Sequence, residues 1–312
     1  MNKIKKQITI SVPCFNEEAN IKNTYNRLKF IISSLKKYSF EFVFVDNGST
    51  DKTRNIIGEI AKNDKRVRGV FLSRNFGPEA SSKASFDYSK GDAVIWVAAD
   101  LQEPPELIPR FIENWEKGYD VVLGQYKKID DSFFMTWARR SFYNLFKKIS
   151  NIEVPINVIG FGLYSRKVVD ALRSLPEKYR FERGLTMWVG FKKTFIPYER
   201  KRRVNGKSSY SLIDYVKHSE RGVFGFSYLP LDLLVYIGFI LTGLSFLFII
   251  GYLITVLFFR NPINASIPIM LAIVFFGGVN MLGLSIIGKY IQVIVEEVKN
   301  RPVYMVDETV NI

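Results

Sequence analysis

Two long runs without charged side chains, in the last third of the chain, constrain the fold most strongly. No Asp, Glu, Lys or Arg occurs from Leu233 to Phe259, nor from Asn261 to Gly288. Each run exceeds the roughly 20 apolar residues that an α-helix needs to cross the hydrocarbon core of a bilayer. A soluble protein could bury one such helix, but two in succession would need a much larger core. The sequence therefore predicts two transmembrane helices joined by the short loop RNPINAS.

The basic residues around these helices predict their orientation. The loop carries only Arg260, whereas both flanks are basic. By the positive-inside rule, both chain ends are cytosolic and the loop faces outward, as expected for a multi-pass protein of the inner or plasma membrane. The N-terminal apolar run before Pro13 is too short for a signal peptide. The flanking basic residues are Arg200, Lys201, Arg202, Arg203, Lys207, Lys217 and Arg221 upstream, and Lys289, Lys299 and Arg301 downstream.

These features predict a division into four parts. Residues 1–211 form a cytosolic head, and 212–230 form an amphipathic juxtamembrane segment. Residues 231–294 form the transmembrane hairpin, and 295–312 form a cytosolic tail. The small-residue runs GGVNMLG and IIGKY in the second helix favour packing of the hairpin against copies of itself, which predicts a homo-oligomer.

The net charge of +14 indicates an anionic partner. Nucleic acid, anionic lipid and phosphorylated substrates all satisfy that charge. Nucleic acid explains neither the membrane hairpin nor the acidic residues at the strand ends, so we expect no nucleic-acid partner. The only cysteine, Cys14, excludes an internal disulfide and fits a reducing compartment.

The head alternates short β-rich runs with segments of helical period. This alternation predicts an α/β fold with a mostly parallel sheet covered by helices on both faces. Such sheets bind ligands beyond the carboxyl ends of their strands. Polar residues cluster there, at 13–17, 46–51, 74–77 and 100–103. The predicted strands are ITISV (8–12), FEFVFV (40–45), VRGVFL (67–72), AVIWVA (93–98) and DVVLG (120–124), and the clearest helical segments are 17–37 and 53–64.

The first loop of the head is PCFNEE, which is neither GxGxxG nor a P-loop motif. Asn16 and Glu17 offer an amide and a carboxylate to a nucleoside, and Asp46 follows the second strand in the same way. The alternative is structural, because Asn, Glu, Ser and Asp are also favoured at ordinary helix N-termini.

The segment VIWVAADLQEPPE places Asp100 alone at the end of the fourth strand. The residue two positions earlier, on the same strand face, is Ala98. A carboxylate at the end of a buried strand is typical of a metal or phosphate site. The alternative is that Asp100 merely caps the helix that begins near Pro104.

Several motifs together resemble family 2 polyprenyl-phosphate glycosyltransferases. The closest subgroup is that of the bactoprenol glucosyltransferases, and dolichol-phosphate mannose synthase is a more distant relative. The resemblance implies a GT-A (Rossmann-like) fold, a nucleotide-sugar donor such as a UDP-sugar, a polyprenyl-phosphate acceptor and a divalent metal. The motifs are SVPCFNEEANI, FVDNGSTDKT, LSRNFGPEASSKASFDYSKGDAVIWVAADLQEPPE and PYERKRRVNG, followed by the two membrane helices.

The resemblance also implies roles for the loops that bind the donor. It assigns Pro13, Phe15 and Glu17 to the nucleoside pocket, places Asp46 near the base or ribose, and includes Ser49 in the same loop.

The metal motif departs from the family pattern. The family grips metal and diphosphate with Asp-x-Asp-x-Gln, whereas this chain has Ala98, Asp100 and Gln102 at those positions. Mg²⁺ is commonly held by one or two carboxylates plus substrate phosphates. We therefore expect Asp100, which is also assigned a catalytic role, and Gln102 to hold Mg²⁺ or Mn²⁺ in a weakened site.

A second departure affects the carboxylate that the family uses in catalysis. Its Asp-Phe-Arg-Leu segment matches IGFGL here, with Gly160 and Gly162 in place of the Asp and the Arg. A phosphomonoester is already ionised at neutral pH, so this acceptor can react without a protein base. The two losses also permit another interpretation, in which catalysis has been lost.

The basic stretch at 199–212 completes the implied site. Arg200 and Arg203 match family arginines and are expected in catalysis and in binding the acceptor phosphate, together with Ser208. Ser209 stands where the family has a lysine. The alternative is a polybasic patch that lies on anionic headgroups.

Two functional hypotheses follow. The first is an inverting glycosyltransferase that moves a sugar from a nucleotide-sugar to undecaprenyl-type phosphate on the cytosolic face, for cell-envelope glycans or lipid glycosylation. The second is a catalytically silent relative that binds lipid phosphate or a partner synthase. A processive polysaccharide synthase would need a QxxRW segment, which this sequence lacks. The sequence does not specify which sugar is transferred.

Overall fold

The computed structural model describes residues 5–127, 150, 152, 154–200, 220–259 and 266–312. The strands are β1 (Gln7–Cys14), β2 (Ser39–Asp46), β3 (Val67–Leu72), β4 (Ala93–Trp96), β5 (Val121–Tyr126), β6 (Val158–Ser165), β7 (Lys193–Tyr198) and β8 (Val306–Val310). The helices are α1 (Ile21–Ser33), α2 (Thr53–Asn63), α3 (Pro78–Asp87), α4 (Ile108–Glu116), α5 (Arg166–Ser174), α6 (Glu182–Trp188), α7 (Leu229–Phe259) and α8 (Ser266–Val298).

The strands form one sheet in the order β7-β5-β6-β4-β1-β2-β3-β8. It is parallel from β4 through β1 and β2 to β3. Helices cover both faces: Phe42 and Phe44 pack with Leu28 of α1, while Val43 pairs with Ala84 of α3 on the other face. Burial on both faces explains why the strands are continuous apolar runs. The predicted α/β class, with a mostly parallel sheet and two long apolar C-terminal helices, is confirmed.

Strand β6 runs antiparallel to both of its neighbours, β4 and β5. It therefore begins at the edge of the sheet where β4 ends. The register pairs Ala93 with Ser165 and Trp96 with Gly162. Ala98 and Gly160 lie beyond this last pair, at the same end of the two strands.

The predicted cytosolic tail returns to the head and supplies the edge strand of the sheet. Strand β8 pairs antiparallel with β3. An Nη2 atom of Arg54 lies 2.7 Å from a carboxylate oxygen of Asp307 and 2.6 Å from one of Glu308. Asn311 donates hydrogen bonds to the carbonyl oxygens of Ala61 and Val67, at 2.7 and 2.9 Å.

Helices α7 and α8 contain the two candidate membrane spans found in the described part of the chain. They are Leu229–Thr255, with a mean hydropathy of 2.6, and Ala272–Val298, with a mean hydropathy of 1.6. The end of α8 contacts the head, because the Glu297 carboxylate accepts hydrogen bonds from the backbone N–H groups of Lys178 and Tyr179 at 2.7–3.0 Å. The division into four parts at 211, 230 and 294 stays a prediction.

Candidate active site

The loops that follow β1 and β2 are joined to each other by hydrogen bonds. The backbone N–H of Asn16 donates to Oγ of Ser49 at 2.8 Å, and the N–H of Thr50 donates to Oδ1 of Asn16 at 2.9 Å. Helix α1 begins only at Ile21, after Asn20 in the N-cap position. Asn16 is therefore a link between two loops rather than a helix cap, and it fixes them side by side at the carboxyl edge of the sheet.

The predicted nucleoside-binding residues meet in these two loops. Pro13, Phe15 and Glu17 are half-buried, so each keeps surface for a ligand. Asp46 is only 1% exposed, and its carboxylate accepts hydrogen bonds from the backbone N–H of Ser49 at 3.3 Å. Burial raises the pKa of Asp46, which the Ser49 hydrogen bonds partly oppose.

A third loop, at 73–77, is tied to the second by Asn47, which sequence analysis did not single out. The Asn47 side chain donates to Oδ1 of Asn75 at 3.1 Å and to the carbonyl of Gly77 at 3.2 Å. Its Oδ1 accepts from the N–H of Phe76 at 3.0 Å. Asn47 is 4% exposed. The only feature of the sequence that could have pointed to Asn47 is its position directly after Asp46. Its hydrogen-bond partners lie 28 to 30 residues away, so no local pattern connects them to it.

Asp100 does not act as a helix cap. Its Oδ1 accepts a hydrogen bond from the backbone N–H of Gln102 at 3.1 Å. Neither the 3₁₀ turn Pro105–Leu107 nor α4 has a side-chain cap. The strand end is held in place by Thr24 of α1, whose hydroxyl donates to the carbonyl of Ala99 at 2.6 Å. Asp100 is thus positioned by a local turn at the edge where the loops converge.

Arg200 joins Asp100 and Gln102 at the end of β4. Its Nη2 donates to Oε1 of Gln102 at 3.0 Å, and its Nε lies 3.3 Å from Oε1 of Glu103. The structure therefore brings together three of the predicted site residues. Two others, Arg203 and Ser208, lie outside the described residues.

Glu103 is a buried acid that sequence analysis did not assign to the site. Its side chain is 1% exposed, and neither carboxylate oxygen accepts a hydrogen bond from the described residues. Burial raises the pKa of Glu103 to about 7, although Arg200 opposes that shift. A buried carboxylate is energetically costly unless it is paired with a positive charge, and among the described residues Arg200 supplies that charge to Glu103.

The oxygen atoms at this strand end fit a divalent metal that is shared with a substrate. Among the described residues, no three His, Cys, Asp or Glu side chains gather into a metal cage. Asp100 and Gln102 offer oxygen ligands, and Glu103 supplies buried oxygens beside them. Mg²⁺ and Mn²⁺ prefer such oxygen donors, and Mg²⁺ commonly takes its remaining ligands from phosphates and water.

The backbone at Gly160 and Gly162 is adapted to glycine. Gly160 has φ +97°, a region that L side chains rarely adopt. A Cβ atom on Gly162 would lie 2.2 Å from the carbonyl oxygen of Val122. A side chain at either position would therefore strain the backbone or meet a neighbouring strand.

Comparisons with known proteins agree with this architecture. The model of the family Glycosyl transferase family 2 matches residues 9–173. The chain is 38% identical to an uncharacterized glycosyltransferase (YkcC) of Bacillus subtilis, covering 98% of this chain and 95% of that protein. It is also 38% identical to the SfII prophage-derived bactoprenol glucosyl transferase of Shigella flexneri, covering 97% of this chain and 98% of that protein.

Solved structures include one similar at low identity, the glucosyl-3-phosphoglycerate synthase from Mycobacterium tuberculosis in complex with Mn²⁺, UDP-glucose and phosphoglyceric acid. It is 18% identical, with a TM-score of 0.48, and the match covers 70% of this chain and 78% of that chain. The assignment itself rests on the family model, which matches more than half of the chain, and on relatives matched along nearly their whole length. The chain therefore belongs to glycosyl transferase family 2 and is a homologue of the bactoprenol glucosyl transferases.

Proposed function

We propose that the protein transfers a sugar from a nucleotide-sugar, with a UDP-sugar as the expected donor, to polyprenyl phosphate of the undecaprenyl type. The observation that carries this proposal is the convergence of Asp100, Gln102 and Arg200 at the edge of the sheet where the nucleoside loops meet. The same chain carries two helices long and apolar enough to enter a membrane. The lipid acceptor is further supported by relatives named bactoprenol glucosyl transferases.

The donor binds across the carboxyl edge of the sheet. The nucleoside contacts Pro13, Phe15 and Glu17, with Asp46 near the base or ribose and Ser49 in the same loop. The diphosphate lies at the end of β4, where Asp100 and Gln102 would hold Mg²⁺ or Mn²⁺ and Arg200 adds a second positive charge. When bound, the metal supplies charge that stabilises the departing diphosphate.

The lipid phosphate is its own nucleophile. One of its oxygens forms a bond to C1 of the sugar while the bond from C1 to the donor diphosphate breaks, and the nucleoside diphosphate leaves with that electron pair. No proton needs to be removed, because the phosphomonoester is already ionised at neutral pH. Attack opposite the leaving group inverts the configuration at C1. Arg200, Arg203 and Ser208 are the proposed contacts of the acceptor phosphate.

The reaction takes place on the cytosolic face of the membrane. The contact between Glu297 and the backbone at 178–179 supports this, because it places the end of α8 on the same side as the head. The hydroxyl of Tyr290 also donates to the carbonyl of Ser227 at 2.7 Å, just before α7 begins. By the positive-inside rule, the basic residues that flank the two helices in the sequence support a cytosolic assignment for this side. A homo-oligomer built on the hairpin remains part of the proposal.

A catalytically silent relative is the second candidate, and one observation favours it. The paired register of β4 and β6 ends with Trp96 opposite Gly162, so Ala98 and Gly160, where the family pattern has carboxylates, belong to the same end of the two strands. Such a protein would bind lipid phosphate or a partner without turnover.

Purified full-length protein in nanodiscs with undecaprenyl phosphate separates the two candidates. UDP-glucose, UDP-galactose, UDP-N-acetylglucosamine and GDP-mannose are supplied in turn, and both nucleotide release and label in the lipid are measured. We expect one donor to be consumed with its sugar recovered in the lipid, and Asp100→Asn to abolish most of this transfer. Consumption of no donor at any pH, with undecaprenyl phosphate still bound, would establish the silent relative.

A further inference from the structure

The end of α8 is hydrogen-bonded to the loop between α5 and α6. Both carboxylate oxygens of Glu297 accept from the backbone N–H of Lys178, at 2.9 and 3.0 Å, and Oε1 also accepts from the N–H of Tyr179 at 2.7 Å. Hydrogen bonds to an ionised carboxylate are roughly twice as strong as those between neutral groups. Glu297 thus holds a loop that lies 118 to 119 residues earlier in the chain.

This loop is in turn fixed to the body of the head. Arg180, whose side chain is 1% exposed, donates from Nη2 and Nη1 to the carbonyls of Leu172 and Leu175 at the end of α5, at 3.1 and 3.2 Å. Its Nε donates to the carboxylate of Glu182 in α6, and the backbone N–H of Glu182 donates to Oε2 of Glu79 in α3 at 3.0 Å. The contact with α8 therefore acts on three helices of the head and not only on a surface loop.

The start of the hairpin is attached at the same loop. The guanidinium of Arg221, in the segment before α7, lies 5.2 Å from the centroid of the Tyr179 ring. The neighbouring Glu220 is tied to α8, because its Oε2 lies 3.2 Å from Nζ of Lys289. Residues that precede α7 and residues that end α8 therefore meet at the loop at 178–179.

The chain that leaves α8 passes directly by the candidate active site. After α8 ends at Val298, the carbonyl of Met305 accepts from the backbone N–H of Ser73 at 3.0 Å, in the third loop of the site. Strand β8 then pairs Val306 with Leu72, the last residue of β3. The hairpin therefore joins the head at the carboxyl edge of the sheet, which is the edge that carries the site.

We propose that Glu297 is a positioning residue, which fixes the head on the hairpin so that this edge meets a phosphate held at the membrane surface. The inference rests on the proposed function, because it requires an acceptor anchored in the bilayer. Such a phosphate cannot follow a displaced head, so the distance from it to C1 of the donor sugar depends on how the head is seated. A misplacement of about 1 Å can slow a reaction roughly 100-fold. Glu297 itself contacts backbone and no substrate.

The test measures the seating of the head and the reaction in the same full-length protein in nanodiscs. Spin labels at Lys117→Cys on the head and Leu282→Cys in α8, both exposed, report their separation by pulsed electron paramagnetic resonance in a Cys14→Ser background. The rate of transfer to undecaprenyl phosphate and the calorimetric affinity for UDP with Mn²⁺ are measured alongside. The variants are Glu297→Ala and Glu297→Gln. Glu296→Gln is the matched control, because Glu296 is exposed and makes no hydrogen bond with the described residues.

We expect Glu297→Ala to broaden the distribution of label distances, to lower the transfer rate about tenfold and to leave the affinity for UDP unchanged. Glu297→Gln should show a smaller effect of the same kind, since its amide keeps one acceptor oxygen. It carries the test if melting temperatures show that the alanine variant fails to fold. Glu296→Gln should match the wild type in all three measurements.

An unchanged distance distribution or a wild-type rate in folded Glu297→Ala would overturn this inference and leave the proposed function intact. A parallel loss of UDP affinity would also overturn it, because the substitution would then disturb the donor site itself. Absence of transfer by the wild type would instead remove the proposed function, and the positioning role with it.

Discussion

The Nε atom of Arg200 lies 3.3 Å from Oε1 of Glu103, whose side chain is 1% exposed. Arg200 also donates from Nη2 to Gln102, so one guanidinium neutralises a buried acid and orients a proposed metal ligand. Removing one partner of a buried ion pair leaves the other charge unpaired in a low-dielectric environment. Arg200 therefore has a structural role and a proposed catalytic role, which variants can separate.

Arg200→Ala should lower both stability and transfer rate. We expect a loss of about 1–3 kcal/mol in the free energy of unfolding, less than for a fully buried pair because Arg200 is 30% exposed. The double variant Arg200→Ala/Glu103→Gln should regain most of that stability, since no charge is left unpaired, and should stay slow. Urea unfolding and initial rates measure the two effects. Recovery of the rate in the double variant would show that Arg200 acts only structurally.

Removing the metal should stop the reaction. With Ala98 in place of a carboxylate, metal affinity depends on donor phosphates, so Mn²⁺ should bind weakly alone and more tightly when UDP is present. Electron paramagnetic resonance of Mn²⁺ measures both states. Asp100→Asn should abolish most binding and turnover, and Ala98→Asp should tighten Mn²⁺ binding. Turnover that is indifferent to a chelator would mean that basic side chains have replaced the ion.

Replacing Gly160 or Gly162 should not improve the enzyme, because the backbone at both positions is suited to glycine. Gly160→Asp should cost about 1–3 kcal/mol through its positive φ and should not raise the rate. Gly162→Ala should cost more, since its Cβ would meet the Val122 carbonyl. Gly118→Ala is a matched control, with φ +87° and no atom within 4 Å of the new Cβ. It should lose stability and keep full activity. A faster Gly160→Asp enzyme would contradict this account.

The pH dependence of transfer should follow the lipid phosphate. If the lipid phosphate is its own nucleophile, the rate at saturating donor should rise as that phosphate loses its second proton, at about pH 6. Above that pH the rate should level off. Glu79→Gln should leave the shape of this profile unchanged, although burial raises the pKa of the Glu79 carboxyl to about 7. A profile that changes shape in Glu79→Gln would indicate control by a protein carboxyl.

The proposed topology can be tested with single cysteines. Because Cys14 is the only cysteine, a Cys14→Ser background accepts Pro262→Cys or Lys299→Cys as the sole thiol. A membrane-impermeant maleimide added to intact cells should label the first and spare the second until the cells are opened. The reverse pattern would place the head on the outer face and exclude a cytosolic nucleotide-sugar as donor.

The fold of the head was predictable where its signals are local. Strands β1 to β5 are short apolar runs between turn residues, and they could be recognised from the sequence. Strand β8 could not: its sequence VDETV is charged, and its partner β3 lies more than 230 residues earlier. Strand β8 can pair with β3 only because the chain returns to the head after the two apolar helices. No local sequence pattern predicts that return.

The residues of the candidate site likewise divide into those predictable from local sequence and those that depend on long-range contacts. Asp100 and Gln102 were predictable because a carboxylate and an amide follow a buried strand at a fixed spacing. Glu103 was hidden in the run Glu-Pro-Pro-Glu, which is typical of a helix start, although it is buried against Arg200, 97 residues later. Glu79 and Glu182 are 103 residues apart and meet only because α3 and α6 pack on the same face.

Strand β8 also determines the order in which the protein can be completed. A ribosome makes residues 306–310 only after both apolar helices, so the edge of β3 stays open while the hairpin enters the bilayer. Unpaired strand edges invite association with other chains. A fragment cut before Leu229 to obtain a soluble enzyme would carry that open edge permanently. Biochemical work on the head therefore requires the intact polypeptide, or a redesigned chain in which the last strand is joined to the head by a linker.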